Sequence, residues 1–412
     1  MNRFLLLLAT LVSFHFAESQ RICRTYEYQQ QLFQTNPSLA DSFRLAEKFL
    51  QLAGPARTSA EDHTKLITIP VVVHVLYHYP SEDIPDAVIQ SQIKALNRDF
   101  RLQNEDAVNI PVAFKGRAAD CLIEFSLATA DPNGAGTNGI VRKYSPMTSW
   151  TADDRIKAST QTGDNPWPAT DYLNIWVGTL GTLLGYSSLP GDPASKDGVV
   201  INNTVFGVHN GGTYEQGRTA VHEIGHWLGL KHTWGDKDCG DDGIADTPPQ
   251  QTFTNGCPSG IRTSCGNAPD GDMYMNFMDF TNDDCLLMFT LGQREKMRSM
   301  FDAGGPRYSL LEGKGLRPPT IEAAPVTDTP PRFLDLKVFP NPATTTLIID
   351  VGYDPRWLGA ELTILNSLGQ PVCRRAVNTT QLTLAIGNLK AGVYFIRAER
   401  AGQQIRKSFV KL

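Results

Sequence analysis

The sequence predicts a mixed α/β domain followed by a small, separate all-β sandwich. Three observations support this prediction. Between residues 66 and 202, short apolar and β-branched segments alternate with helical segments and loops, which is typical of a mixed α/β domain. A proline-rich stretch, RPPTIEAAPVTDTPPRF, then predicts a linker. Beyond it, short strand segments are separated by turn signals such as NPA, SLGQ and KAG, as in a β-sandwich.

The first residues predict export. The chain begins MNRFLLLLATLVSFHFAESQ, in which Arg3 precedes an apolar run and the small residues Ala17 and Ser19 flank Glu18. This pattern is typical of a secretory signal peptide that is cut after residue 19, and the apolar run is too short to span a bilayer. The net charge of −5 gives no electrostatic reason to expect nucleic acid or an anionic membrane as a partner. We therefore expect a secreted or cell-surface monomer without a membrane span.

The elements of the first domain follow in order. Residues 20–60 are polar, with helical periodicity only around residues 39–52 and no obvious core of their own. KLITIPVVVHVLYH predicts a buried central strand, and DAVIQSQIKALNRDF predicts an amphipathic helix. LIEFSLA, YLNIWVG and KDGVVIN predict three further strands. A loop-rich region follows and ends in FTLGQREKMRSMF, which predicts a closing helix that begins at Thr290.

These changes in composition divide the chain into five segments. They are a signal peptide (1–19), a propeptide (20–60), a catalytic domain (61–315), a proline-rich linker (316–333) and a C-terminal sandwich (334–412). The catalytic assignment depends on a histidine motif in the third segment.

That motif is HEIGHWLGLKH, residues 222–232, which holds three of the chain's eight histidines. Positions four apart lie on one face of a helix, so His222 and His226 project side by side with Glu223 next to them. Gly229 is a position where such a helix can end and bring His232 back to the same ion. Three imidazoles are typical of catalytic zinc, because they leave a fourth position open for water. We expect Glu223 to take the proton of that water and pass it to the leaving amine.

The full pattern HExxHxxGxxH, followed by a methionine turn, is typical of metzincins. Downstream, NFMDF places Met278 where metzincins carry the methionine that packs beneath the zinc ligands. The alternative is that Met278 is an ordinary core residue. Its position after the zinc motif and before a cysteine favours the methionine turn.

Several segments closely resemble the pappalysin family of metzincins, in particular its small, ulilysin-like bacterial members. They are LNRDF, YLNIWVG, LLGYSSLPG, DGVVIN, the zinc motif continuing into KHTWGD, and CGDDGIADTPPQ through NFMDF to DDC. The resemblance spans residues 65–305. It implies a metzincin-type zinc peptidase domain with an upper mixed sheet and a loop-rich lower subdomain. It also implies a substrate edge strand over LLGYSSLP, residues 183–190, and protein or peptide substrates.

The resemblance also bears on the cysteines and on one aromatic residue. Four of the seven cysteines are crowded after the histidine motif, where export makes disulfides available. The family pattern implies the pairs Cys239–Cys265 and Cys257–Cys285. Relatives usually carry tyrosine at the position of Phe280, and its hydroxyl can hydrogen-bond the tetrahedral intermediate. Phe280 cannot do so, which puts the rate in doubt rather than the type of reaction.

An acidic run, DDGIADT, lies beside these cysteines. Its oxygen-bearing side chains suit calcium, and the resemblance implies a structural calcium ion there. The candidate ligands are Asp241, Asp242, Asp246 and Thr247. The alternative is a solvated acidic loop.

Asp283 is a separate acidic candidate. It matches the acidic residue that the family carries in the pocket for the side chain after the scissile bond. The resemblance therefore implies a preference for Arg or Lys at that substrate position. The alternative is a surface role.

Cys23 lies shortly after the predicted signal peptide. A thiolate is a strong zinc ligand, so a propeptide that threads the cleft would bring Cys23 to the open zinc position and displace the water. This resembles the cysteine-switch latency of metzincin zymogens, and it accounts for the odd cysteine count. The alternative is a free or otherwise paired cysteine. Cys121 and Cys373 lie beside apolar strands and are expected to be buried core thiols.

The C-terminal segment, from VFPNPA to the end, resembles the type IX secretion sorting domain of Bacteroidota. The resemblance implies the type IX secretion machinery as a partner and a second export step across the outer membrane. The competing interpretation is a carbohydrate-binding or adhesion sandwich, for which Trp357 is the obvious candidate for an exposed aromatic platform.

The sequence therefore predicts a secreted zinc metalloendopeptidase that is made as a zymogen. One alternative is an exported adhesin whose zinc site is structural or vestigial, but such a site does not need the base Glu223. Another is a different zinc hydrolase such as an amidase, which lacks the methionine turn.

Overall fold

The computed structural model describes residues 23–52, 64–209, 212–321, 336–351, 357, 359–379, 381–400 and 403–412. The predicted signal peptide lies outside these residues, as does most of the predicted linker. Within the described ranges, no helix combines the length and the apolar character that crossing a membrane requires.

A six-stranded sheet forms the upper part of the first domain. Its strands are β1 (Ile67–Tyr77), β2 (Ile123–Leu127), β3 (Ile140–Tyr144), β4 (Leu173–Gly178), β5 (Gly185–Ser187) and β6 (Val199–Asn202). Their order is β2-β1-β4-β6-β5, with β2 paired to the first half of β1 and β3 to its second half. The pairs are parallel except that of β5 with β6, which is antiparallel.

β1 is central because its side chains are apolar on both faces. All of its residues except Thr68 are buried, as expected for a parallel strand covered on both sides. The strands predicted from LIEFSLA, YLNIWVG and KDGVVIN are confirmed as β2, β4 and β6, and the edge strand implied by the family resemblance is confirmed as β5. The sequence pattern does not predict β3, because IVRKY carries two charges and only Tyr144 is buried.

Six α-helices accompany this sheet in the part of the chain that the structure describes. They are α1 (Thr25–Thr35), α2 (Pro37–Leu52), α3 (Asp86–Phe100), α4 (Val112–Lys115), α5 (Arg218–Trp227) and α6 (Leu291–Ser299). α3 confirms the predicted amphipathic helix, since Ile89, Leu96 and Phe100 join the main core. α6 begins where predicted, because the Thr290 side chain accepts a hydrogen bond from the backbone N–H of Gln293.

The two helices before β1 pack on the first domain. The periodicity of residues 39–52 predicts α2, but no comparable apolar stripe predicts α1. α1 buries Tyr28 and Leu32 in a cluster with Trp176 and Tyr186 of the first domain. The buried side chains of α1 therefore belong to a hydrophobic core that it shares with the first domain.

The C-terminal domain is a sandwich with its own core. Its strands are β7 (Lys337–Phe339), β8 (Thr346–Asp350), β9 (Glu361–Leu365), β10 (Pro371–Ala376), β11 (Gln381–Ala385), β12 (Gly392–Arg400) and β13 (Gln403–Lys411). One antiparallel sheet has the order β10-β9-β12-β13 and the other β11-β8-β7. The predicted small all-β domain is confirmed.

Two expectations for single residues are wrong in this domain. Trp357 is only 3% exposed, so it cannot serve as an exposed aromatic platform. Cys373 is half-buried rather than buried, because β10 is an edge strand whose side chains mostly face solvent. Cys121 of the first domain is buried, as expected.

Candidate active site

The three histidines of the motif converge on one point. His222 and His226 lie one turn apart on α5, which ends at Trp227. The chain then turns at Gly229, which has φ of 86°. The positive φ turns the chain back, and His232 joins the other two rings. The His226 Nε2 atom lies 3.2 Å from Nε2 of His222 and 3.0 Å from Nε2 of His232.

The outer nitrogen of each ring is held by an acceptor. The Nδ1–H of His222 donates to the carbonyl of Phe277 (2.7 Å), and that of His226 donates to the carbonyl of Leu230 (2.9 Å). His232 Nδ1 contacts the carboxylate of Asp236. Since Nδ1 carries the proton, each Nε2 presents a lone pair to the centre. The motif does not predict the role of Asp236. The spacing in KHTWGD, where Asp236 follows the last histidine by four residues, is a signal that could have identified it.

Cys23 completes this group. Its Sγ lies 3.6 Å from His226 Nε2, and the ligand atoms of Cys23 and the three histidines all lie within 4.8 Å of one another. Tetrahedral zinc with three nitrogens and one sulfur places its ligand atoms roughly 3.3–3.6 Å apart, from bond lengths of about 2.0–2.3 Å. The donor set therefore fits a zinc ion in both chemistry and spacing.

Burial governs protonation at this group. It lowers the pKa of His226 to about 3, assisted by the neighbouring His232, so this imidazole is neutral as a metal ligand must be. Burial and the carboxylate of Glu223 raise the pKa of the Cys23 thiol well above its ordinary value. A metal ion reverses this preference, because a coordinated thiol loses its proton outright.

Glu223 lies beside the histidines and is buried. Its Oε2 accepts a hydrogen bond from the Thr25 hydroxyl (2.9 Å) and lies 3.6 Å from the Cys23 sulfur. Gly185 of β5 packs against it so closely that a Cβ there would lie 2.9 Å from Cγ of Glu223. The sequence does not predict the role of Thr25, because a threonine in a polar segment carries no signal of its own.

Thr25 and Cys23 attach the first residues of the described chain to β5. The backbone N–H of Ser187 donates to the Thr25 hydroxyl (2.9 Å), and Cys23 forms a parallel bridge with Gly185. The segment therefore occupies the free edge of β5 and the centre of the histidine group together.

Met278 lies directly beneath α5. It is fully buried, and a Cβ at Gly225 would lie 2.5 Å from its sulfur, so a larger residue at position 225 requires Met278 to move. Phe280, two residues later, packs its ring 4.9 Å from that of His232 and 4.9 Å from that of Trp234. It supports the ligand ring but brings no hydroxyl to the site.

Two disulfides secure the loops after the histidines. Cys239 is bonded to Cys265, and Cys257 to Cys285. These are the two pairs that the family resemblance implies.

Comparison with known proteins places this site in a family. Residues 157–302 match the peptidase M43 family, described as pregnancy-associated plasma protein-A, and residues 337–412 match the secretion system C-terminal sorting domain. A promirolysin mutant from Tannerella forsythia is 42% identical, with a TM-score of 0.66, over 71% of this chain and 97% of its own. The chain belongs to the pappalysin family of metallopeptidases.

Two further relatives of this pappalysin are similar over shorter lengths. Mature mirolysin from Tannerella forsythia, solved with a cleaved peptide, is 47% identical with a TM-score of 0.59, over 60% of this chain and 96% of its own. An extracellular metalloprotease of Aspergillus fumigatus is 42% identical over 32% of this chain. The chain spans 43% of the length of that fungal relative.

The structure does not gather the four residues of the acidic run at one point. Asp246 instead caps α6, since its carboxylate accepts from the Thr290 hydroxyl (2.7 Å) and from the backbone N–H of Gly292 (2.9 Å). Asp242 accepts from the Thr247 hydroxyl at 2.9 Å, and burial raises its pKa to about 6 although the charge of Lys296 opposes this. Calcium at this pappalysin loop remains a prediction.

Calcium binding is expected to appear as added stability. The metal-free protein reloaded with zinc plus calcium is expected to unfold about 5 °C higher than protein reloaded with zinc alone, because an ion bound only by the folded state stabilises it. Differential scanning calorimetry measures the shift, with magnesium in place of calcium as the control. Equal melting temperatures with and without calcium would identify the run as a hydrogen-bonded acidic loop.

Asp283 is fully buried, which excludes the alternative of a surface role. Its Oδ2 accepts hydrogen bonds from the backbone N–H groups of Gln216 (2.9 Å) and Arg218 (3.3 Å), at the start of α5. Its own N–H donates to the carbonyl of Thr213 (3.1 Å). Thr213 lines a cavity together with Leu184 at the start of β5, so Asp283 lies behind the wall of that cavity.

Proposed function

We propose that the chain is an exported zinc endopeptidase, made as a zymogen, that hydrolyses peptide bonds of proteins. The observation that carries the proposal is the convergence of three imidazole lone pairs beside the buried carboxylate of Glu223. A structural zinc site needs no such base, and it is usually closed by four side chains of the folded domain itself. Here the fourth ligand atom comes from the separate segment that precedes β1.

The residues around this point have distinct tasks in peptide hydrolysis. When bound, zinc supplies a Lewis acid that activates water and polarises the scissile carbonyl. Glu223 takes the proton from water at Oε2 and gives it to the nitrogen of the leaving amine. β5 offers its free edge to an extended substrate, whose backbone can pair with it. Phe280 brings no hydroxyl to the developing oxyanion, so this side chain does not stabilise it.

Latency follows from the position of the first segment. Cys23 would hold the fourth ligand position of a bound zinc ion, Thr25 binds the base, and the backbone of the segment pairs with β5. All three features that a substrate needs are therefore occupied. The Tannerella forsythia relative exists as promirolysin and as mature mirolysin, which supports a precursor that is processed. We place the activating cut near Arg57, which lies outside the described residues.

Export and partners rest on the C-terminal domain. Its match to a secretion sorting domain supports the type IX machinery as a partner and a final location outside the cell or on its surface. The buried position of Trp357 removes the main argument for the alternative of an adhesin.

The test is hydrolysis of a denatured protein by the processed chain. Cleavage is expected to stop when zinc is removed by a chelator and to return when stoichiometric zinc is added back. Mass spectrometry of the products identifies internal cuts, which distinguish an endopeptidase from an amidase. Cleavage that persists in the zinc-free protein would contradict the proposal.

We further propose a preference for Arg or Lys after the scissile bond, due to the charge of Asp283. Asp283→Asn is expected to flatten this preference by about tenfold or more in kcat/KM, since it removes the counter-charge and keeps an acceptor for the two backbone amides. Cleavage of a peptide library measures it.

Glu215 supplies the matched control, because it is the acidic residue among those lining the same cavity. If Glu215→Gln flattens the profile and Asp283→Asn does not, the selecting charge belongs to Glu215. If the parent shows no basic preference, neither residue selects the substrate.

A further inference from the structure

Tyr28 of α1 is inserted into a pocket of the first domain. Its side chain is buried, and its ring lies 5.1 Å from the ring of Tyr186 on β5. The Lys157 ammonium lies 5.5 Å from the centre of the Tyr28 ring and 5.4 Å from that of Trp176. The pocket thus holds an aromatic ring between aromatic walls and a buried cation, which is a favourable setting for a π-face.

The far end of this pocket is polar. The Tyr28 hydroxyl donates a 2.6 Å hydrogen bond to Oδ2 of Asp154, which is buried. Asp154 is held in turn by the ammonium groups of Lys157 (3.0 Å) and Lys196 (3.1 Å). Lys157 is fixed by a further hydrogen bond to the carbonyl of Lys196 (2.8 Å). These groups all belong to the first domain, so the acceptor for the phenol is built without any contribution from α1.

The pocket adjoins the strand along which a substrate would lie. Tyr186 is the next residue after Gly185, the one that packs on Glu223 and pairs with Cys23. Side chains of an extended peptide alternate between the two faces of a sheet. A peptide paired with β5 therefore directs one of its side chains to the face where Tyr186 and the pocket lie.

We propose that this pocket is a subsite for the phenol side chain of tyrosine, filled by Tyr28 in the precursor and by a substrate tyrosine after the segment has been removed. The second half of this inference rests on the proposed peptidase function. The pocket selects tyrosine over phenylalanine because phenylalanine leaves Asp154 without its phenol donor. Lys196 is partly exposed and contacts the same oxygen, so the discrimination is expected to be about tenfold rather than the larger values of fully closed polar sites.

The pocket is tested first without any peptidase activity. In the full chain carrying Glu223→Ala, a second change, Tyr28→Ala, empties the pocket. p-Cresol at ten times its dissociation constant is expected to raise the melting temperature of this double variant by about 3 °C, and toluene by less. Neither compound is expected to shift the Glu223→Ala chain that retains Tyr28. Equal shifts with p-cresol and toluene, or no shift with either, would overturn the inference.

The substrate half is tested with the processed protein. Peptides with tyrosine at one fixed position relative to the cut are expected to have about tenfold higher kcat/KM than the phenylalanine versions, and Asp154→Ala, which removes the acceptor, is expected to remove this difference. A cleavage profile with no tyrosine preference, together with a positive p-cresol result, would restrict the pocket to Tyr28 and overturn its role in substrate selection. Absence of any cleavage would count against the proposed peptidase function and leave the p-cresol result to decide on the pocket.

Discussion

Glu223→Ala is expected to lower kcat for peptide hydrolysis by about 10³- to 10⁴-fold while the protein still binds one zinc ion. The substitution leaves in place the three imidazoles and the acceptors that orient them, which are the carbonyls of Phe277 and Leu230 and the carboxylate of Asp236, so we expect metal binding to be retained. The proton of the attacking water then has no acceptor at Oε2, and the leaving amine has no donor. Activity is measured on a quenched peptide substrate, and zinc content by atomic emission.

Glu223→Gln is the matched control, since it keeps the size of the side chain and one acceptor oxygen but is not basic. Both variants are expected to lose activity equally. If the alanine variant retains the activity of the parent, Glu223 is not the base. If it loses zinc as well, the residue acts in metal binding.

Cys23→Ala is expected to convert the latent precursor into an active or self-processing one, with activity about a hundredfold or more above that of the parent precursor. A thiolate binds zinc far more tightly than water does, and its tether holds it at an effective concentration in the millimolar range, above that of a dilute substrate. Removing the sulfur leaves the fourth position to water. The measurement is activity of the intact chain immediately after purification, with electrophoresis to follow processing.

Cys121→Ala is the control for the loss of a buried thiol, because Cys121 is buried elsewhere in the core and is not among the metal-binding group. It is expected to leave the precursor latent. If Cys23→Ala is equally latent, the segment inhibits by occupying the cleft through Thr25, Tyr28 and Leu32, and the sulfur adds nothing.

The zinc site is predictable from sequence because its geometry is local. The three histidines, spaced by four and then six residues, need only a helix and one turn at a glycine to converge. The motif itself predicts both the helix and the turn. The acceptors that orient the histidine rings are harder to predict from the sequence. Phe277 and Leu230 act through backbone carbonyls, which any residue type supplies. Their roles depend on tertiary packing that no local pattern encodes.

The segment before β1 shows the same limit. Its cysteine is conspicuous in the sequence, but Thr25 and Tyr28 gain their roles only from Glu223 and Asp154, which lie far away in the chain. α1 packs its few apolar side chains against the first domain, and the apolar periodicity of its sequence is too weak to predict this contact. Asp246 illustrates the reverse error, in which a local cluster of acids suggests a common ligand although one member caps a helix instead.

The two disulfides also make the support of the metal centre depend on the compartment in which the chain folds. Their loops interlock, since Cys257 lies inside the loop closed by Cys239 and Cys265 and is itself bonded to Cys285. Each bridge lowers the conformational entropy of the unfolded chain, which stabilises the folded state by about 3–4 kcal/mol at 25 °C. Phe277 lies within the loop closed by Cys257 and Cys285. In a reducing cytoplasm these thiols stay open, and the carbonyl that orients His222 loses this support. We therefore expect the His222 ring to be less firmly oriented in a reducing compartment than after export, independently of Cys23.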